Sequence, residues 1–206
     1  MAEKINVGAI KQFAFSGKTV KDFSIELASA ESRLGTGSVA ALIGGMAASS
    51  LLLAVRKTGS EDMKKTADEL ELLRKYFIFL VDEEVKAKEP LESRLKNGTA
   101  DEAEIEGGYR TACVILSEQL YTLQKLVDLA GSVSDGICPC AAVEAAAAMY
   151  YIRASLESIR LQLTFYSTKM NEPVYARTTR REPEIVIEEN AGRISSLIEK
   201  FEALLK

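Results

Sequence analysis

The sequence contains no histidine and no tryptophan, and it has only three cysteines and four prolines in 206 residues. Without histidine the chain lacks the side chain that most often serves as a general base or metal ligand, so acid–base chemistry would fall to carboxylates. Cys113, Cys138 and Cys140 are odd in number and suggest no disulfide framework. A Cys-x-Cys pair without histidine is also a poor zinc site, so we expect no bound metal.

The sequence also lacks an excess of positive charge, with 26 lysines and arginines against 30 acidic residues and a net charge of −4. This balance excludes most nucleic-acid-binding proteins, which neutralise phosphates with clustered basic residues. The N-terminal sequence has no basic region followed by an apolar core, so we predict a cytoplasmic protein. The nearly uncharged run at 39–55 is shorter than the roughly 20 residues of a membrane span. It favours a buried core helix and no membrane association.

Alanine and leucine are abundant and turn signals lie far apart, which predicts an all-α fold. We expect one domain, a bundle of long helices around buried Ala/Gly-rich helices. Pro90 should kink or end a long charged helix that starts at Ser60. Thr99 to Glu102 reads as a capping box. Ser134 or Asp135 should cap an alanine-rich helix whose first turn holds Pro139.

The organisation predicted along the chain is an N-terminal arm at 1–18 and one helical domain at 19–206. Within that domain, the two prolines and the basic run of 171–184 indicate a connecting loop. Apolar residues spaced by threes and fours indicate a last amphipathic helix at 190–206. Small-residue helices and this apolar helix together expose more apolar surface than a monomer covers readily, so we expect a homodimer.

The most informative segment is the turn Gly35-Thr36-Gly37-Ser38, which leads directly into the long apolar run. Such a turn can present backbone N–H groups to an anion at a helix N-terminus, or can simply let two helices pack closely. A dinucleotide fingerprint would need a preceding strand, yet 23–30 is spaced like a helix. A phosphate-binding P-loop would need a lysine beside Ser38, which is absent.

With the segment 23–29 before it, this glycine turn resembles the opening of the formiminotetrahydrofolate cyclodeaminase and methenyltetrahydrofolate cyclohydrolase family. Thr58, the acidic run Val81-Asp82-Glu83-Glu84 and the pair Ser134-Asp135 resemble further motifs of that family. The resemblance spans about 19–170. It departs at Thr36, where the family has glycine, and the family's lysine after the threonine is missing, with Arg56 and Lys57 just upstream.

The resemblance implies a homodimeric folate one-carbon enzyme that forms or opens the 5,10-methenyl bridge of tetrahydrofolate, with a folate substrate and no separate cofactor. It implies substrate binding by the glycine turn, through Gly35, Gly37 and Ser38. It adds Thr58 and Lys57 to the substrate-binding residues. Cyclodeaminase and cyclohydrolase activity remain alternatives, as does a degenerate member that acts as a non-catalytic binding or assembly module.

The chemistry of the bridge requires a proton donor and negative charge near a developing cation. We predict that Asp135, at a helix start, is ionised and stabilises the cation or acts as a base. Asp82, on a packed helix, would have a raised pKa and donate the proton. The structural alternatives are a helix cap for Asp135 and a surface charge for Asp82.

Overall fold

The computed structural model describes residues 15–99 and 101–206, and within them it contains helices and turns but no strand. The predicted all-α class is confirmed. The helices are α1 (Val20–Leu27), α2 (Thr36–Thr58), α3 (Lys64–Asn97), α4 (Glu102–Val133), α5 (Ala142–Ser167) and α6 (Pro173–Ala203), with 3₁₀ turns at Glu61–Met63 and Pro139–Ala141. The predicted arm at 1–18 lies mostly outside the described residues.

Helix α2 lies in the centre of the bundle, packed between α3 and α5. It is long and apolar enough to cross a membrane, but 61% of its most apolar stretch is buried inside the fold. Its glycines and alanines let the neighbouring helices approach closely. Gly44 shows the effect best, because a Cβ atom built there would lie 2.6 Å from the ring of Phe77. The sequence-based prediction of a small-residue core helix therefore describes the position of α2 correctly.

Gly44→Ala should destabilise the fold by about 1–3 kcal/mol, because the added methyl group overlaps the fully buried Phe77 ring. Urea unfolding followed by circular dichroism measures the change. Gly107→Ala in α4 is the matched control, since its built Cβ meets nothing within 4 Å and alanine favours a helix. Equal stability of the two variants would contradict close packing at Gly44.

The predicted connecting loop at 171–184 is wrong, because α6 is continuous from Pro173 to Ala203. Pro173 occupies the first turn, where its missing N–H costs nothing, and the Glu172 carboxylate caps the helix by accepting from the N–H groups of Val174 and Tyr175. The last helix consequently begins well before the predicted 190. Buried residues at helical spacing run along the whole of α6 and hold it on the body: Thr179, Pro183, Val186, Asn190, Ile194, Leu197, Ile198 and Phe201.

Of the two alternatives at Pro90, a kink or an end, the end is wrong, and the cap of α4 also lies elsewhere than predicted. Helix α3 passes through Pro90 and ends at Asn97, where Gly98 adopts a left-handed conformation with φ 63°. The capping box of α4 is formed by Asp101 and Glu104, two residues later than predicted. Leu91 packs against Gly108 across this turn. This contact lies directly after the proline and helps bury Leu91.

The turn between α4 and α5 contradicts the predicted caps. Ser134 is the C-cap of α4, and Cys138, rather than Ser134 or Asp135, precedes the 3₁₀ turn that opens α5. Pro139 does lie in that first turn. Cys138 and Cys140 are joined by a disulfide, which the odd cysteine count did not suggest. Cys113 is a buried free thiol.

Candidate functional site

The glycine turn forms the N-terminus of α2. Gly35 is the N-cap residue, its backbone is extended, and no side chain of the described residues caps the helix there. Neither Gly35 nor Gly37 has a positive φ. Their role is close approach: a Cβ built at Gly35 would lie 2.6 Å from the Lys88 ammonium, and one at Gly37 would lie 2.8 Å from Glu84 Oε1. The turn therefore presses its backbone against charged side chains of α3.

Ser38, Glu84 and Lys88 form a buried polar cluster behind this turn. Glu84 is 1% exposed and Lys88 is 7% exposed. The Ser38 hydroxyl donates a short hydrogen bond to Glu84 Oε2, and the Lys88 Nζ lies 3.1 Å from Glu84 Oε1. Lys88 also donates to the backbone oxygen of Arg33 at 3.4 Å. Glu84 Oε1 is fully buried, and within the described residues the Lys88 ammonium is its polar partner.

Burial raises the pKa of the Glu84 carboxyl, while the Lys88 charge and the Ser38 hydrogen bond act in the opposite direction. Burial also raises the pKa of the Tyr166 phenol, and the negative charge of Glu84 adds to that shift. Tyr166 stacks at a tilt on Tyr109, with ring centroids 5.1 Å apart. The cluster thus combines a carboxyl suited to proton exchange with an aromatic neighbourhood.

The raised pKa of Glu84 makes stability depend on pH. A carboxyl that holds its proton more tightly when folded stabilises the protein fully below its unfolded pKa, near 4.5, and this contribution is lost as pH rises through the folded pKa. The free energy of unfolding of wild type relative to Glu84→Gln should therefore fall above about pH 4.5. Urea titrations of both proteins between pH 4 and 8 test this. A difference that rises with pH would contradict it.

Asp82, the predicted proton donor, lies on the same helix but makes different contacts. Its carboxylate accepts hydrogen bonds from the backbone N–H groups of Phe15 at 2.6 Å and Ser16 at 3.1 Å, and from the Ser16 hydroxyl at 2.5 Å. Phe15 is itself buried. These contacts make Asp82 the anchor of the segment that precedes α1.

The remaining predicted residues gather at the far end of α2. Ser38 and Thr58 are 20 positions apart in one helix, which corresponds to about 30 Å. Thr58 accepts a hydrogen bond from the backbone N–H of Cys138, and Lys57 forms an ion pair with Glu144 at 2.5 Å. Asp135 has a 96% exposed side chain paired with Lys200 at 2.6 Å. The predicted residues therefore form two groups within one chain.

Sequence reasoning missed Glu84 and Lys88 as site residues, although it quoted the acidic run that contains Glu84. The usable signal was periodicity. Glu84 and Lys88 continue the threes-and-fours spacing of Phe77, Leu80, Val81 and Leu91, all buried, and so lie on the inner face of α3. A carboxylate and a lysine on a buried stripe are unusual, because each must be paired.

No group of three or more acidic or cysteine side chains among the described residues is arranged to hold a metal ion. A surface cleft of about 550 Å³ lies between α4 and α6, lined in part by Tyr121, Arg177 and Arg181. None of its lining residues belongs to the glycine turn. The buried cluster at Ser38, Glu84 and Lys88 is therefore the candidate site that geometry and burial favour.

Comparisons with known proteins agree with this fold. The family model described as formiminotransferase-cyclodeaminase matches residues 19–184. The crystal structure of formiminotetrahydrofolate cyclodeaminase from Thermotoga maritima is similar with a TM-score of 0.75, covering 92% of this chain and 96% of that one. Identity between the two is 16%, so this likeness concerns the fold alone. Among curated proteins none matches the chain significantly.

Proposed function

Because the chain belongs to the formiminotransferase-cyclodeaminase family, we propose that it is a folate one-carbon enzyme that forms or opens the 5,10-methenyl bridge of tetrahydrofolate. One observation carries the proposal: a buried carboxyl, Glu84, lies behind the glycine turn, bonded to Ser38 and paired with Lys88. The substrate would be a tetrahydrofolate derivative, with no separate cofactor. The cytoplasmic location stays a prediction.

Bridge formation and opening both need one group that takes and returns protons. In ring closure the amine attacks the formimino carbon and loses a proton, while the departing nitrogen gains protons and leaves as ammonia. In hydrolysis water adds to the cationic methenyl carbon and gives up a proton. A Glu84 carboxyl with a raised pKa suits both transfers, and in its ionised form it stabilises the cation. Cyclodeaminase and cyclohydrolase therefore share this chemistry.

In this proposal the glycine turn provides the substrate contacts, through Gly35, Gly37 and Ser38. The N–H groups at the start of α2 have no side-chain cap and would bind a carbonyl or anionic group of the folate. Asp135, Thr58 and Lys57, at the opposite end of α2, would contact the same ligand only if a second subunit brought the two ends together.

A homodimer is part of the proposal. Helices α2 and α5 pack against each other and both expose apolar side chains, including Met46, Leu53, Val143 and Tyr150. Exposed apolar residues on neighbouring helices are typical of a subunit interface. Light scattering at micromolar concentration should give twice the mass of one chain. A monomer at that concentration would overturn this part of the proposal.

Folate binding provides the test of the site. Titration of wild type with 5-formyltetrahydrofolate, a stable analogue, should give saturable binding by calorimetry. Gly37→Ala should weaken it about tenfold or more, because a Cβ atom would displace Glu84 and Leu116 from the turn. Gly107→Ala is the control that leaves binding unchanged. Equal folate affinity in both variants would show that the ligand does not bind at the glycine turn.

One observation favours a non-catalytic relative as the second candidate. The Lys88 ammonium and the Glu84 carboxylate already occupy the space beside Gly35 and Gly37. In a degenerate member this ion pair would fill the ligand's place and fix the bundle for assembly. A dimer that binds no folate and turns over no methenyl or formimino substrate would support that reading.

A further inference from the structure

The disulfide between Cys138 and Cys140 has no part in the proposed folate chemistry, yet it occupies a defined place in the fold. The two cysteines are two positions apart, with Cα atoms separated by 5.3 Å, and Pro139 lies between them. Cys140 is exposed and Cys138 is half-buried. Cys140 therefore lies at the surface of the turn that joins α4 to α5, while Cys138 packs partly against the core.

A purely stabilising role does not account well for this disulfide. Disulfides stabilise proteins mainly by restricting the unfolded chain, and the effect grows with the length of the loop that is closed. The ring here encloses a single residue, Pro139, whose backbone is already restrained by its own side chain. Exposed disulfides are also the ones that thiols can attack. The exposed position therefore favours thiol–disulfide exchange over a permanent structural disulfide.

We propose that Cys138 and Cys140 form a reversible redox site, which a dithiol reductant opens and a disulfide oxidant closes. This inference is independent of the proposed folate activity. A thiolate of the reductant attacks the exposed Cys140 sulfur, the S–S bond breaks, and Cys138 leaves as a thiolate that takes a proton. The second thiolate of the reductant then releases Cys140 and forms the reductant's own disulfide. Two electrons and two protons pass to the protein.

The bond lies in a turn where three helices meet. The backbone N–H of Cys138 donates to Thr58 Oγ1 at 3.1 Å, at the last residue of α2. Cys138 also precedes the 3₁₀ turn that opens α5, and α4 ends at Val133 just before it. Reduction removes the link from Cys138 to Cys140 and leaves the hydrogen bond to Thr58. The redox state of the pair would therefore change the order of this junction.

Alkylation of the folded protein can distinguish Cys138 and Cys140 from Cys113, the third cysteine. Its side chain is buried in the core, and burial raises the pKa of its thiol to about 12. At pH 8 the thiolate fraction of such a group is on the order of 10³-fold smaller than that of an ordinary thiol, so native alkylation will pass over Cys113. The number of thiols that react in the folded protein consequently reports on Cys138 and Cys140.

The test equilibrates the full chain with mixtures of reduced and oxidised dithiothreitol, alkylates it natively with iodoacetamide, and counts the adducts by mass spectrometry. We expect no adducts at the oxidising end, adducts on both Cys138 and Cys140 at the reducing end, and full reversal. Cys113→Ser should titrate like wild type. Cys138→Ser and Cys140→Ser should each give one adduct at every ratio.

Two results would overturn the proposal. A pair that becomes reducible only after denaturation is a structural staple. A pair that is alkylated at every ratio forms no disulfide under these conditions. Both results come from wild type alone, so poor folding of a serine variant does not affect the decision. Hydrogen exchange of residues 134–141 supplies the second readout, and it should increase at the reducing end of the titration.

Discussion

Glu84→Gln will lower turnover of a methenyl or formimino folate about 100-fold or more, the usual effect of removing a general acid–base group. Glutamine keeps the size of the side chain and an oxygen for the Ser38 hydroxyl, but it cannot exchange a proton. Initial rates of wild type and variant under saturating substrate measure the loss. Circular dichroism shows whether the variant keeps its helices.

Two variants make this result specific. Glu83→Gln is the control, because Glu83 lies next to Glu84 on α3 and, among the described residues, pairs with Lys86 near the surface. Its rate should equal that of wild type. Asp135→Asn tests the other predicted catalytic carboxylate, whose side chain is exposed and paired with Lys200. A large loss in Asp135→Asn with an unchanged rate in Glu84→Gln would move the reaction centre to the opposite end of α2.

Lys88→Met will destabilise the fold by about 3–5 kcal/mol, because removing one partner of a buried ion pair leaves the other charge uncompensated. The Lys88 ammonium lies 3.1 Å from Glu84 Oε1 in the interior. Methionine retains the volume of the lysine stem, so the effect reports on charge rather than on packing. Urea unfolding at pH 7 provides the measurement.

The double variant Glu84→Gln/Lys88→Met should recover most of that stability, since it removes both charges together. Lys86→Met is the matched control on the same helix, because its partner Glu83 is at the surface. Exposed pairs contribute about 1 kcal/mol or less. If Lys88→Met costs no more than Lys86→Met, the buried pair is not coupled as the structure indicates.

Much of the fold followed from local patterns in the sequence. The threes-and-fours spacing of α3 and the Ala/Gly content of α2 predicted long packed helices, and these are present. The start of α6 was missed because prolines and a basic run resemble a loop. There, burial of Thr179, Pro183 and Val186 on the body outweighs the weak local helix preference.

The candidate site was only partly predictable. The glycine turn indicated a close approach, but its partners Glu84 and Lys88 were not identified, although their spacing places them on the inner face of α3. Glu84 is identified by its bond to Ser38, which lies 46 positions away in the sequence. Asp82 was the residue predicted from the motif, yet its carboxylate accepts hydrogen bonds from Phe15 and Ser16. Long-range pairing of buried charges has no local signature.

Folate one-carbon activity is tested most directly by adding purified wild-type protein to 5,10-methenyltetrahydrofolate and following the decay of its absorbance, which measures opening of the bridge. A second assay uses 5-formiminotetrahydrofolate as the substrate and measures formation of the bridge. We expect acceleration with at least one of the two, and loss of that acceleration in Glu84→Gln but not in Glu83→Gln. No acceleration with either substrate, together with no folate binding, would contradict the assignment of this chain as a folate one-carbon enzyme.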